Sequence, residues 1–220
     1  MEKAKLSNIN IFTDLIIGIL FTLFFMSAGV ILVLNLRPIY YFDISLLKIE
    51  ETSGMEKEEI VENYNALIDY NSPFYRGELN FPTLKSSETG LQHFKEVKRI
   101  FISFYYLFVI TGLILIPFVI YKKKKDCSLK FLRNAAILIF IIPVVVGIAI
   151  ALNFNQLFIL FHKIFFRNDY WIFSIETDPV IGILPDTYFL HCAVLIILVM
   201  MLSGLALYFI YKKRSAPALD

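Results

Sequence analysis

The chain is expected to be an all-α membrane protein, with four transmembrane helices beneath a small extracellular cap that contains an amphipathic helix. Three observations predict this. Four runs, 15–36, 100–121, 135–152 and 188–211, contain no Asp, Glu, Lys or Arg, and each has roughly the twenty residues that a helix needs to cross hydrocarbon. Hydrophobic residues make up 58% of the chain and charged ones only 18%, a balance too apolar for a soluble domain of this size. The basic clusters Lys3 and Lys5, Lys122 to Lys125 with Lys130 and Arg133, and Lys212, Lys213 and Arg214 all fall in short segments on one side of the runs.

By the positive-inside rule that side is cytoplasmic. Both termini and the 122–134 loop are then inside, and the segments 38–99 and 153–187 outside, in a single polytopic domain spanning 1–220. The net charge of +2 hides this asymmetry. The clusters are read as topology signals on anionic head groups rather than as a nucleic-acid surface. The first run is too long for a signal-peptide core, and no A-x-A site follows before Arg37. It is expected to be a retained helix. Cys127 and Cys192 fall on opposite sides and cannot pair. With no C-x-x-C, a disulfide oxidoreductase is disfavoured.

Between the first two runs, Pro38 opens a stretch, 39–49, expected to be extended. From Glu56 to Tyr70 the apolar residues Ile60, Val61, Tyr64, Leu67 and Ile68 recur at helical spacing with a Glu-rich opposite face. This predicts the amphipathic helix of the cap. Pro73, Gly77 and Pro82 then mark a loop. At Ser86, Ser87, Glu88 and Thr89 a new helix is expected, since Ser and Thr suit its N-cap and acids its first turn. It should run unbroken through His93 into the second span. At a rise of about 1.5 Å per residue, His93 stands about 10 Å above Ile100, at head-group level.

After the third run, 157–166 is apolar around most of its circumference. With Tyr170, Trp171 and Phe173 it forms the densest aromatic stretch of the chain. Such a helix must be covered by protein or sunk into the interface. Asp178-Pro179 and Leu184-Pro185 mark turns before the fourth span.

The candidate chemistry rests on the histidines. His93 shares a helical face with Thr89, Glu96 and Val97, and Glu88 and Glu96 are near enough to orient it. The alternative is a solvated histidine on a helix stem. His162 has Phe158, Ile159, Phe165 and Phe166 as helical neighbours, surroundings that keep an imidazole neutral, as a general base must be. The alternative is an interfacial histidine packed with one nitrogen satisfied. Phe158, Phe165, Tyr170 and Trp171 are the expected wall around it. His191, inside the fourth span with no acidic neighbour within its helix apart from Asp186 just before it, reads as a packing or interface residue. No H-E-x-x-H or H-x-x-E-H spacing supports a metal, and G-x-S-x-G, Walker and dinucleotide fingerprints are missing. No buried charge in the spans marks an ion pathway.

Two stretches carry a resemblance. One runs Ser87-Glu88-Thr89-Gly90-Leu91-Gln92-His93-Phe94-Lys95-Glu96-Val97-Lys98. The other runs Phe161-His162-Lys163-Ile164-Phe165-Phe166-Arg167-Asn168-Asp169-Tyr170-Trp171-Ile172-Phe173, followed by Asp178, Ile181 and Leu184-Pro185. In this order, before the second span and after the third, they resemble the bacterial lipoprotein intramolecular transacylases. The resemblance implies a Gram-positive plasma-membrane acyltransferase with His93 and His162 as its catalytic pair. It implies transfer of the sn-2 acyl chain of a diacylglyceryl lipoprotein to the α-amino group of the same lipoprotein's N-terminal cysteine. No cofactor, metal or nucleic acid is implied; the partners are the lipoprotein and membrane lipid, and a monomer is expected. Which histidine is the base stays open. The competing functions are a non-enzymatic lipid- or partner-binding membrane subunit and a metal-dependent membrane hydrolase.

Overall fold

The structure, a computed structural model, describes residues 2–124 and 129–215, with side chains for 13–124 and 129–214. Lys125 and Cys127 of the basic connection therefore lie outside the described residues. Eight helices and no strand occur among the described residues: α1 (Glu2–Asn35), α2 (Pro38–Leu46), α3 (Ile49–Ser53), α4 (Lys57–Tyr70), α5 (Glu88–Lys124), α6 (Lys130–Phe165), α7 (Val180–Ile183) and α8 (Asp186–Ser215). Segments of α1, α5, α6 and α8 are long and apolar enough to cross a membrane. The chain divides into two compact units.

The first unit comprises Met1–Gly29, Tyr106–Ile148 and Leu195–Asp220. Its core gathers Ile17, Phe21, Leu115, Phe131, Ala135, Ile139, Met200 and Leu207. Its outer surface is as apolar as its core, with Leu113 70%, Val145 61% and Leu202 65% exposed. Such a surface is stable only against hydrocarbon. Small residues set the closeness of packing. A Cβ on Gly18 would lie 2.3 Å from Leu138 Cδ1, and one on Gly204 2.9 Å from Phe140 Cε2, as expected of helix contacts in lipid. Hydroxyls in the apolar stretches are satisfied locally. Thr22 donates to the Gly18 carbonyl at 2.9 Å and Thr111 to Leu107 at 2.6 Å, so neither hydroxyl meets the apolar surroundings unpaired.

The second unit comprises Val30–Tyr105 and Ala149–Val194. The stretch 39–49, expected to be extended, is helical. Pro38 occupies the first turn of α2, where its fixed φ and missing N–H cost nothing. Tyr40, Asp43 and Ile44 then share one buried face at i, i+3, i+4 spacing. That face was illegible as a pattern because one of its members is an acid. Left-handed Gly54, φ 71°, closes α3. The amphipathic helix forms as α4 and buries Ile60, Tyr64, Leu67 and Ile68.

The core of this unit is a tyrosine stack. The rings of Tyr40 and Tyr64 lie 3.7 Å apart at 11°, and Tyr188 meets both edge-on. Each hydroxyl has a partner: Tyr40 donates to the Ile183 carbonyl at 2.6 Å, and Tyr64 and Tyr188 share a bond of 2.8 Å. Burial pushes the Tyr40 and Tyr64 phenols up, so both stay protonated.

Two local devices place the functional helices. Ser87 caps α5, its Oγ accepting the Gly90 N–H at 3.0 Å. The helix α6 breaks at Asn153, φ −166° and ψ 95°. The Asn153 side-chain oxygen accepts the Gln156 N–H at 3.1 Å, so Asn153 is the N-cap of a second segment that carries His162.

Candidate active site

His93 and His162 come together in the second unit. Their ring centroids are 6.0 Å apart at an interplanar angle of 29°. Both lie outside the charge-free apolar runs, His93 in the first turns of α5 and His162 near the end of α6. They are 5% and 8% exposed, which is rare for histidine and requires a dedicated pocket. That pocket is aromatic. Phe158 approaches His162 to 4.3 Å, Trp171 stacks on it at 4.6 Å and 30°, and Phe161 meets it at 5.4 Å. Phe166 lies 4.7 Å from His93 and 5.5 Å from His162, and Phe173 lies 5.5 Å from His93.

The two imidazoles differ in their bonding. His162 Nδ1 is 2.8 Å from the Phe158 carbonyl oxygen. A carbonyl only accepts, so in the neutral ring Nδ1 carries the hydrogen and Nε2 the lone pair. Nδ1 of His93 is buried and meets no hydrogen-bond partner among the described residues; the same holds for Nε1 of Trp171. Burial pushes His93 down to about 4, the nearby His162 adds to this and Glu96 opposes it. Burial also lowers His162, against its bond to the Phe158 carbonyl and the charge of Asp186. Desolvation penalises the imidazolium, so both rings are neutral across the physiological range.

This has a direct test. In protein with ¹⁵N-labelled histidines, the His93 imidazole should remain neutral at pH 5.5, where a free imidazole of pKa about 6.5 is mostly charged, and both His93 and His162 should titrate below 6.5. One of the two should report hydrogen on Nδ1. Their protonation should set in only as pH falls through the lowered values. A titration of either ring at or above 6.5 would contradict the buried placement.

The other predicted residues separate into those at the rings and those beyond them. Glu96 lies beside the site, its carboxylate accepting from Asn168 Nδ2 at 3.1 and 3.2 Å and from Gln92 Nε2 at 3.2 Å. Phe158 and Trp171 wall His162. Glu88 is exposed in the first turn of α5 and bonds neither imidazole among the described residues. Phe165 is 52% exposed and packs on Phe161 at 4.7 Å; Phe166, 4% exposed, takes the wall position instead. Tyr170 is 41% exposed, held through its backbone N–H to Asn168 Oδ1 at 3.1 Å. Phe173, part of the aromatic stretch but not among the expected site residues, meets His93 at 5.5 Å.

His191 is not in this cluster of rings. Its Nδ1 lies 2.9 Å from both oxygens of Asp43 on α2, and Asp43 is 2% exposed. Its acidic partner thus comes from α2 and not from Asp186 at the start of its own helix. Among the described residues no group of three or more His, Cys, Asp and Glu side chains gathers as metal ligands would.

Two buried neutral imidazoles, one with a defined lone pair, in an aromatic pocket can move a proton between two groups of one bound molecule. The family model for the lipoprotein intramolecular transacylase Lit matches residues 15–189. The chain is similar to the solved structure of the membrane-integral lipoprotein intramolecular transacylase Lit from Bacillus cereus, at 36% identity and a TM-score of 0.90, covering 94% of this chain and 96% of that one. Two variants of the Bacillus cereus protein, each with one histidine replaced, by arginine or by alanine, match at 35% identity. Their TM-scores are 0.86 and 0.85, with 97% of this chain covered in both cases and 95% and 96% of theirs. Comparison with curated protein sequences gave no match.

Proposed function

The chain belongs to the lipoprotein intramolecular transacylase family and is an integral membrane acyltransferase, and from that premise we propose the reaction and its machinery. The sn-2 acyl chain of a diacylglyceryl lipoprotein moves to the α-amino group of that lipoprotein's own N-terminal cysteine, giving the lyso form. His93 and His162 carry it. The observation that supports this most is the pairing of two neutral imidazoles at 6.0 Å, close enough for both to touch one reacting ester.

His162 is the base. Its Nε2 lone pair takes a proton from the amine as the amine nitrogen attacks the ester carbonyl carbon. His93 donates a hydrogen bond from its N–H to the oxyanion, and the protonated His162 then delivers the amine's proton to the departing glyceryl oxygen. The carbon–oxygen bond breaks as the intermediate collapses. The proton taken from the amine ends on the glyceryl hydroxyl, so protons balance without any cofactor. Donor and acceptor are parts of one molecule, and the pocket has only to hold amine and ester together. The aromatic wall excludes water, whose attack would release a fatty acid instead. Both histidines lie in one chain, so a monomer carries a complete site. The basic clusters orient both termini to the cytoplasm and the site to the outer face of the plasma membrane.

Mass spectrometry of lipoprotein N-termini tests the reading. In a host lacking this activity, expression should convert diacylglyceryl lipoproteins to the N-acyl, S-monoacylglyceryl form of unchanged total mass, with one acyl chain relocated to the amine in the fragment spectra. A reporter fused after Lys212 in the same cells should be active only in the cytoplasm. Unaltered fragment spectra with confirmed expression would leave only a binding subunit.

A further inference from the structure

We propose that Asp178 is a positioning residue for this reaction: its carboxylate clamps the loop after α6 onto the start of α5 and so keeps His93, Trp171 and His162 in register. Asp178 is 2% exposed. Its Oδ1 accepts the Ser87 backbone N–H at 2.8 Å, and its two oxygens receive the Ser87 hydroxyl at 3.0 and 2.8 Å. Thr177 adds a bond of 2.7 Å, and the Asp178 N–H is tied back to the Ser174 carbonyl at 2.8 Å. No lysine or arginine pairs with it among the described residues. A buried carboxylate held by hydrogen bonds alone is a costly way to close a loop, and what it provides here is direction.

The approach is close enough to dictate a second residue. A Cβ on Gly90 would lie 2.2 Å from Asp178 Oδ1, so only glycine admits the carboxylate at this turn of α5. Gly90 is one turn before His93. On the other side of His93, Asn168 bonds Glu96 at 3.1 and 3.2 Å. The loop is thus tied to α5 before and after His93. Between the ties it carries Trp171, stacked on His162, and Phe173, edge-on to His93. Releasing the Asp178 tie lets these rings drift, and a misplacement of about 1 Å near a reacting pair can cost on the order of 10²-fold in rate. The kinetic consequence rests on the two-histidine reading; the structural one does not.

Trp171 is the only tryptophan of the chain, so its fluorescence reports the loop directly. Full-length protein in detergent would be compared with Asp178→Ala, Asp178→Asn, Gly90→Ala and Gly90→Ala/Asp178→Ala, taking only monodisperse fractions. Acrylamide quenching of Trp171 and the kcat and KM for a diacylglyceryl lipopeptide would be measured. Asp178→Ala should lower kcat roughly 10- to 100-fold with KM changed less than about twofold, shift Trp171 emission to the red and raise its quenching. Gly90→Ala should act in the same direction. The double variant should be no worse than Asp178→Ala, because the colliding carboxylate is gone. Asp178→Asn, which keeps an acceptor for the Ser87 N–H, should retain most of the spectrum and activity. Wild-type emission and kcat in Asp178→Ala, or multiplicative losses in the double variant, would overturn the clamp. If the wild-type protein converts no lipopeptide, the function fails, and the quenching of Asp178→Ala still decides the clamp.

Discussion

Alanine at His93 or at His162 is expected to reduce lipoprotein conversion by roughly 10²–10⁴-fold, the usual worth of a positioned acid or base, while the protein still inserts in the membrane. The two losses should arise differently. His162→Ala removes the lone pair that the Phe158 carbonyl bond presents. His93→Ala leaves that base in place and removes the donor 6.0 Å away. Because both act on one transition state, His93→Ala/His162→Ala should be little worse than either single variant. Trp171→Ala should fall between these and wild type, through loss of the stack on His162. Rates would be read from lyso-form product per folded molecule. Near-normal turnover in either single variant would remove that residue from the mechanism. His191→Ala should behave otherwise. It strips a hydrogen-bond partner from the buried Asp43, at a cost of about 1–3 kcal/mol in stability, and should leave turnover per folded molecule close to wild type.

Tyr64→Ala should be the most damaging single change to stability outside the histidine pocket, at about 3–5 kcal/mol, the range for deleting a large buried ring. Tyr64 is 1% exposed, lies face to face with Tyr40 at 3.7 Å, and shares a hydrogen bond with Tyr188 at 2.8 Å. Truncation opens a cavity and removes one of the partners of the Tyr188 hydroxyl, leaving Cys192. Tyr64→Phe isolates the second effect. It keeps the stack and loses one bond, so it should cost about 1–2 kcal/mol. Thermal unfolding in one detergent would rank the two. Equal losses would mean that the hydrogen bond, not the ring, holds this core together.

The resemblance carried by the 87–98 and 161–173 stretches named the two histidines. What the residues alone determined was the class: an all-α membrane protein with four charge-free runs of spanning length. These are legible because hydrophobic partition acts on composition, segment by segment, and needs no knowledge of partners. The helix at Lys57–Tyr70 and the Ser87 cap were legible for a similar reason, since periodicity and capping are set within one turn or two.

Tertiary structure decided what contacts what. Where 157–166 is apolar on nearly every side, spacing alone cannot say which ring turns inward. The break and cap at Asn153 turn Phe166 to the histidines and leave Phe165 half exposed. The helix at Pro38–Leu46 was unreadable because its buried face includes Asp43, whose partner His191 stands 148 residues away. Asp178 and Gly90 likewise acquire meaning only together. A buried polar group is defined by the partner that satisfies it, and that partner is chosen by the fold.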